Sequence, residues 1–480
     1  MKKLLAGVSK VDITTEEIDV NDRLYAKVLV LGDGENTTAF ISMDYVSMGG
    51  NISELSDSFF PDIKKEAQNE GVDCFVCGVT HTHTPFPMSL PEDKVKERVL
   101  CGLREAMSDL QPVTFGCAFG KNNDFLNNRT LKLEDGTYWS IAQAYPCPPD
   151  RNIAGIPYAD DTVGVLRFDK ENGEPLCVMF TFGCHPLVGY ANNLPTANYP
   201  GIAEAFIEKN TGAMAMMFQS CGGDVSEIDY KNYDHPKSCD RHGLSLGNTV
   251  LDTLKTIKTH EADISFYTKD ISLPLRQDFE RVKEKVLEKR EELIARLKGC
   301  ALNFKSFLPL YMKYLISPDY PLGYKYEYIR EEARNESQLK NQDIINRKNI
   351  EKYLSNLEVM EELCRNVSTL STLLWHQRHN AAFNSDTLPS EVTGVKIGDT
   401  LLITAPVEPL SEISQAITKL SPIEKTLVLG YSNGYFHYGA LPETYNNGGY
   451  ETVECMLAEG WYDVYKSAAL EIFDNLYRND

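Results

Sequence analysis

The sequence is short of positive charge. Lys and Arg number 48 against 69 Asp and Glu in 480 residues, which gives a formal net charge of −21. Neutralising a phosphate backbone takes clustered Lys and Arg, so nucleic acid is excluded as the main partner. Long apolar runs are missing as well. None reaches the roughly 18 residues of a membrane span. The opening Met1–Lys10 is basic but weakly apolar, short of the about 7–15 apolar residues of a secretory core. The chain therefore reads as cytoplasmic. It has no internal repeat and no low-complexity segment. Its 12 cysteines are scattered, several of them in apolar runs (Cys74, Cys77, Cys177, Cys184). Without an export signal, reduced and buried thiols are expected. Cys74 and Cys77 have the spacing of a redox or zinc pair. They lie in a strand-like run, however, where positions three apart face opposite sides, so a structural role is expected.

At roughly 100–200 residues per domain, this length allows two to four domains, or one large one with insertions. In the first half, short apolar runs alternate with helical or loop stretches. Leu24–Leu31, Thr38–Met43, Cys74–Val79, Cys177–Phe182 and Ala213–Phe218 read as strands. Ile52–Asn69, Glu92–Leu110 and Gly201–Lys209 read as helices. The pattern predicts an α/β fold, with mixed β-sheets flanked by helices. From about Asp278 to Asn384 the composition changes. Phe279, Val282, Val286, Leu293 and Leu297 recur at helical spacing, as do Ile350, Leu354, Leu357, Met360, Cys364, Val367, Leu370 and Leu374. A Tyr-rich link joins them (Tyr311, Tyr314, Tyr320, Tyr324, Tyr326, Tyr328), read as half-buried packing. Strand-like sequence returns at Val392–Ile397, Leu401–Thr404 and Thr426–Leu429. The expected organisation is a discontinuous α/β body over 1–277 and 385–480, with a helical insertion over 278–384.

Chemistry collects after the strands. Cys74–Val79 runs into Thr80-His81-Thr82-His83, and Cys177–Phe182 into Gly183-Cys184-His185-Pro186. Ala213–Phe218 runs into Gln219-Ser220-Cys221-Gly222-Gly223-Asp224-Val225-Ser226. Leu401–Thr404 leads to Glu408, and Thr426–Leu429 to a loop with His437 and Tyr445. Ligands of α/β sheets bind beyond the carboxyl ends of strands, so these ends point to one shared polar pocket.

Three of the 9 histidines follow apolar strands directly. His81 and His83 sit two apart in an extended segment, which turns both imidazoles to one side. That suits metal binding, or one ligand with one acid/base neighbour. Imidazole with carboxylate suits zinc, whose catalytic sites keep one position open. Ser226 follows a glycine turn and is placed as a nucleophile or an oxyanion donor. His376 and His379 lack the H-E-x-x-H arrangement and read as surface or packing residues.

Taken in order, these pieces resemble the neutral/alkaline, non-lysosomal ceramidase family. The resemblance opens with Ala6-Gly7-Val8-Ser9-Lys10-Val11-Asp12-Ile13-Thr14 and Leu24-Tyr25-Ala26. It runs on through Thr80-His81-Thr82-His83, His185-Pro186, Tyr199-Pro200-Gly201 and Gly223-Asp224-Val225-Ser226. It ends with Glu408, Glu443-Thr444-Tyr445 and Tyr450-Glu451. It leaves out the helical insertion. The resemblance implies a zinc-dependent hydrolase of an N-acyl amide bond. By it, His81, His185, Glu408 and Tyr445 hold zinc, with Tyr450 the competitor for the last place. His83 contacts the reacting centre, and Ser226 matches an active-site serine. Arg129, Asp224 and Tyr450 line the substrate.

The sequence departs from the family at Thr84-Pro85-Phe86-Pro87-Met88 after the histidine pair, at Glu227-Ile228-Asp229 after the serine, and at Asn198. The expected function is hydrolysis of an N-acyl amide of a small molecule or lipid by metal-activated water. Two other readings stay open. One is a metal hydrolase of a different polar acyl or C–N substrate; the other is a catalytically silent homologue that binds a small molecule. Nothing in the sequence fixes an oligomeric state.

Overall fold

Eight of the apolar runs and their neighbours assemble into one sheet. Its order is Met214–Gln219, Pro175–Phe182, Thr162–Lys170, Gln111–Lys121, Leu5–Asp12, Tyr25–Gly32, Thr37–Met43, Cys74–Val79. The computed structural model describes residues 3–84, 87–140, 147–227 and 238–477. Pro85, Phe86, Ile228 and Asp229, part of the departures noted above, lie outside them. Both outermost pairs of the sheet are parallel, and the inner ones are antiparallel. A parallel neighbour needs a crossover. The helices Phe59–Asn69 and Asn198–Thr211 supply it at the two edges. A second sheet runs in the order Ile264–Pro274, Thr387–Ile397, Thr400–Thr404, Lys425–Leu429, its last pair again parallel.

The α/β expectation therefore holds, and each predicted run overlaps an observed strand. Four strands of the two main sheets escaped it: Leu5–Asp12, Gln111–Lys121, Thr162–Lys170 and Ile264–Pro274. Ile264–Pro274 shows why. It pairs at a sheet edge with Thr387–Ile397, and only Ile264 and Leu273 along it are buried. An edge strand with one wet face needs no apolar run.

The two edges of the large sheet approach each other. Ser42 Oγ donates to the carbonyl of Met217. Phe40 meets Phe218 edge-to-face at 6.3 Å, and a Cβ on Gly78 would lie 2.8 Å from the Phe218 ring. Lys27, 2% exposed, forms an ion pair with Glu204 from the opposite edge and lies 3.7 Å from Asp44. One apolar core joins these strands to Val395, Ile397, Leu402, Leu427 and Leu429 of the second sheet. Cys74 belongs to that core and Cys77 to another on the opposite face. All 12 cysteines are free. No helix among the described residues is long and apolar enough to cross a membrane.

The chain divides into two compact units. The first runs to Gln277 and resumes at His376; the second is centred on Asp278–Trp375. The second unit is helical, with Phe279–Arg296, Phe304–Ile316, Lys325–Ala333 and the first part of Gln338–Ala382. Its core gathers Phe307, Tyr314 and Ile350, with Phe307 stacked on Tyr353 at 4.1 Å. The Tyr-rich link is itself helical. Tyr314 and Tyr328 are buried, whereas Tyr324 and Tyr326 are 75% and 60% exposed, so packing describes only part of the set.

A buried charge left without its partner is costly. Lys27→Met keeps the volume but strands the Glu204 carboxylate. It is expected to lower stability by about 3–5 kcal/mol in urea unfolding. A loss under about 1 kcal/mol, the worth of an exposed pair, would show that the pair is solvated.

Candidate functional site

The parallel pairs put strand ends side by side, and one side chain ties three of them. Gln219 Nε2 donates to Thr80 O at 2.8 Å and to Cys184 O at 3.0 Å, and its Oε1 accepts from Cys184 N at 3.3 Å. His81 and His185 follow directly. The loop after Lys425–Leu429 is pinned to Cys74–Val79 through Asn433, which exchanges bonds with Cys77 at 2.8 and 3.0 Å. Glu408 pairs with Tyr438 across a short parallel ladder. Sequence-distant residues thus meet in one buried cluster.

The cluster is His81, His185 and Glu408, with at most 2% exposure each. His185 Nε2 lies 2.9 Å from Glu408 Oε2, and His81 Nε2 lies 3.4 Å from the same oxygen. His83 Nε2 is 3.0 Å from His81 Nε2, and the ring opens to solvent. His81 was expected in an extended segment. Its φ is instead 62°, in the left-handed region that ordinary residues rarely occupy. The expectation about backbone shape is therefore corrected, yet the two rings still meet, edge-to-face at 4.6 Å. Tyr431, Asn433 and His437 share that unusual backbone, with φ of 53°, 57° and 54°. Such outliers gather where a site is over-determined by its surroundings.

The backbone sets the tautomers. His81 Nδ1 is 2.6 Å from Val46 O, and His185 Nδ1 is 2.7 Å from Gly222 O. A carbonyl only accepts, so each Nδ1 carries the proton. Each Nε2 then turns a lone pair toward the Glu408 carboxylate. Burial first, and then the nearby Arg129, push the His185 imidazole down to about 3, so it stays neutral near pH 7. Burial favours a neutral Glu408, but the neighbouring His81 and His185 outweigh it and hold the carboxyl well below its usual range. Both Nε2 atoms and the carboxylate thus converge on one point, where a positive charge holds them together. A divalent cation would satisfy that arrangement, and two imidazoles with a carboxylate are one of the donor sets that zinc takes. His83 also falls well below its ordinary value. The crowding of its ring by the site comes first, then His81 and His185.

Around the cluster lies a polar shell. Arg129, 2% exposed, donates to Glu451 at 3.0 Å, Tyr438 Oη at 2.8 Å and Gly223 O at 2.7 Å. Tyr438 Oη is 3.3 Å from His185 Nε2, and Tyr435 donates its hydroxyl to Glu408 Oε1. Tyr450 packs against Tyr438 at 5.8 Å, with the Arg129 guanidinium 5.7 Å from both rings. Tyr445 sits elsewhere: its hydroxyl donates to Leu457 O at 2.6 Å. The tyrosine hydroxyls brought onto the cluster are those of Tyr435 and Tyr438. Ser226 is buried and pairs with His185 through the backbone. Asp224 accepts from Ser411 N and Oγ at 2.7 Å and from Asn128 at 2.8 Å, so its carboxylate clips a helix start. Burial pushes the neighbouring Glu227 carboxyl up to about 7.

Tyr431, Tyr435, Tyr438 and Glu451 were not anticipated. A signal was available, since the three tyrosines follow Lys425–Leu429 as His81 follows Cys74–Val79. His376 and His379 were read as surface or packing residues, and burial leaves packing. They are 0% and 8% exposed, because the end of their helix packs under the loop that holds His437.

Against known proteins, no family model and no curated sequence matches the chain. Solved structures do. A ceramidase complexed with C2 matches all of this chain and 76% of its own, with a TM-score of 0.61 and 15% identity. The chain has a neutral-ceramidase-like fold. Neutral ceramidase from Pseudomonas aeruginosa matches likewise, over all of this chain and 75% of its own, with a TM-score of 0.60 and 16% identity. At such identities the likeness concerns architecture, and the chemistry rests on the residues themselves.

Two buried imidazoles, His185 and His437, are each held down to about 3, burial being the first cause for both. In the unfolded chain they titrate near 6.5. As pH falls below about 6.5 the unfolded state takes up protons that the folded state refuses. Each group then removes up to about 1.4 kcal/mol of stability per pH unit, until about pH 3. Urea unfolding of the metal-free protein is expected to show stability falling between pH 7 and pH 5. A flat profile would show that the imidazoles are solvated.

Proposed function

We propose that the protein is a zinc-dependent hydrolase that cleaves an N-acyl amide bond of a small molecule or lipid. The observation that carries this reading is the pair of backbone-fixed imidazoles aimed at Glu408, beside a third histidine open to solvent. His81, His185 and Glu408 would hold the metal. The tyrosine place in that set is assigned to Tyr438, whose hydroxyl is near His185 Nε2 and accepts from Arg129. When bound, zinc supplies a Lewis acid that polarises an amide carbonyl and lowers the pKa of water toward about 7. The protein's own residues do the rest. His83 is neutral and reachable by substrate, so it can take a proton and return it to the departing amine. Arg129 and Glu451 orient Tyr438. Ser226 is assigned to substrate contact. His185, which pairs with Ser226 through the backbone, has Nδ1 on Gly222 O and Nε2 toward Glu408, so it cannot serve as the serine's base. An N-acyl substrate is supported by the fold likeness to ceramidases, one of them complexed with C2. A cytoplasmic enzyme is in keeping with the free cysteines.

The test is an N-acyl amide screen on zinc-reconstituted and metal-stripped protein, followed by two variants. His83→Ala is expected to retain zinc and lose about 10²–10⁴ in kcat. Ser226→Ala is expected to lose about 10²–10³ and keep measurable turnover, without a trappable acyl-enzyme. Loss of zinc in His83→Ala would make that histidine a ligand. No amide turnover with zinc bound would sink the hydrolase reading.

A further inference from the structure

Five described histidines stand outside the reactions assigned above or beside them only as packing: His242, His260, His376, His379 and His437. One of these meets a carboxylate. His376, in the helix Gln338–Ala382, has Nε2 at 2.7 Å from Glu454 Oε2. The ring of His376 stands edge-to-face on that of His437 at 4.8 Å. One ligand-capable atom from each of His376, His437 and Glu454 lies within 4.8 Å of the other two. His376 and His437 are 0% and 3% exposed.

We infer that His376, His437 and Glu454 form a second zinc site, structural in role and separate from the His81–His185–Glu408 cluster. Three arguments support it. The donor set is two imidazoles and a carboxylate, ligand types that zinc takes, with the fourth place left to water. Tetrahedral ligands at about 2.0–2.2 Å from the ion stand roughly 3.3–3.5 Å from one another, so small ring movements suffice from the observed positions. His437 is also held from behind, as metal-binding side chains usually are. His437 Nε2 is 2.9 Å from Gly50 O, which places its proton there and its lone pair on Nδ1. Glu454 is fixed by the antiparallel bridge between His437 and Cys455. Asn380, one helical turn beyond His376, donates to Met456 O at 2.8 Å, and Arg276 donates to Thr452 O at 2.9 Å.

The placement gives the ion its purpose. His437 lies between Tyr435, which touches Glu408, and Tyr438, which touches His185. Its own carbonyl accepts from Glu408 N at 2.8 Å. An ion on His437 would fasten this loop to the helix end and to the Glu454 turn, and so position the first cluster.

The full chain, stripped with chelator and titrated with zinc alone, is expected to bind two ions. His376→Ala/Glu454→Gln is expected to bind one, and so is His81→Ala/His185→Ala. If the wild type binds one ion, lost only from His376→Ala/Glu454→Gln, the second site stands and the proposed catalytic zinc fails. If the single ion is lost only from His81→Ala/His185→Ala, the second site is overturned and the catalytic one stands. Should a variant fail to fold, zinc-edge anomalous scattering from wild-type crystals decides. A peak between His376, His437 and Glu454 supports the site, and no peak there at saturating zinc overturns it.

Discussion

Two hydrogen bonds from imidazoles to backbone carbonyls govern what this site can do. Val46 O and Gly222 O take the Nδ1 protons of His81 and His185, which leaves both Nε2 lone pairs facing Glu408. Turn either ring over, and an N–H would satisfy the carboxylate as an ordinary hydrogen bond. The carbonyls hold the rings as they are, so the cluster suits a cation. The Gly222 carbonyl reaches His185 because two glycine-bearing turns pack backbone to backbone. A Cβ on Gly222 would lie 2.7 Å from Gly183 C and Cys184 N. A Cβ on Gly223 would lie 2.7 Å from Glu408 O, so the carboxylate's own segment depends on the same small residues.

Those turns are in place because the two parallel edges of the large sheet meet. The contacts that close them are partly polar and buried: Ser42 with Met217 O, Lys27 with Glu204, and Gln219 with Thr80 and Cys184. Polar groups are costly in a core unless paired, and their pairing is directional. Apolar packing of Phe40 on Phe218 brings the edges together; the polar bonds fix the register of the strand ends. A slip of one residue would send His81 or His185 to the other face.

The loop after Lys425–Leu429 serves two clusters. Alternate residues reach opposite ways: Tyr435 and Tyr438 to Glu408 and His185, His437 to His376 and Glu454. Left-handed backbone at Tyr431, Asn433 and His437 lets so short a loop do this. Bonds from Asn433 to Cys77 repay part of that strain. Whatever holds His437 therefore bears on the geometry at Glu408.

Much was legible from the sequence, for identifiable reasons. Cys74–Val79 is apolar because it is buried on both faces, and the histidines after it stand out against that run. The same contrast revealed His185, Glu408 and the glycine turn with Ser226. Ile264–Pro274 lacked the contrast because an edge strand keeps a wet face. Tyr435 and Tyr438 were hidden among 25 tyrosines, most of which only pack. Glu451 was quoted only as the neighbour of Tyr450, and its bond to Arg129 appears only in the fold. The sequence by itself determined the α/β class, the strands that are buried apolar runs and which strand ends carry polar chemistry, because those follow from local periodicity and burial. Only the tertiary structure decided which tyrosines face the cluster, which nitrogen of each imidazole is turned inward, and that His376 is buried against Glu454. These depend on carbonyls and side chains dozens to hundreds of residues away, and no local pattern records them.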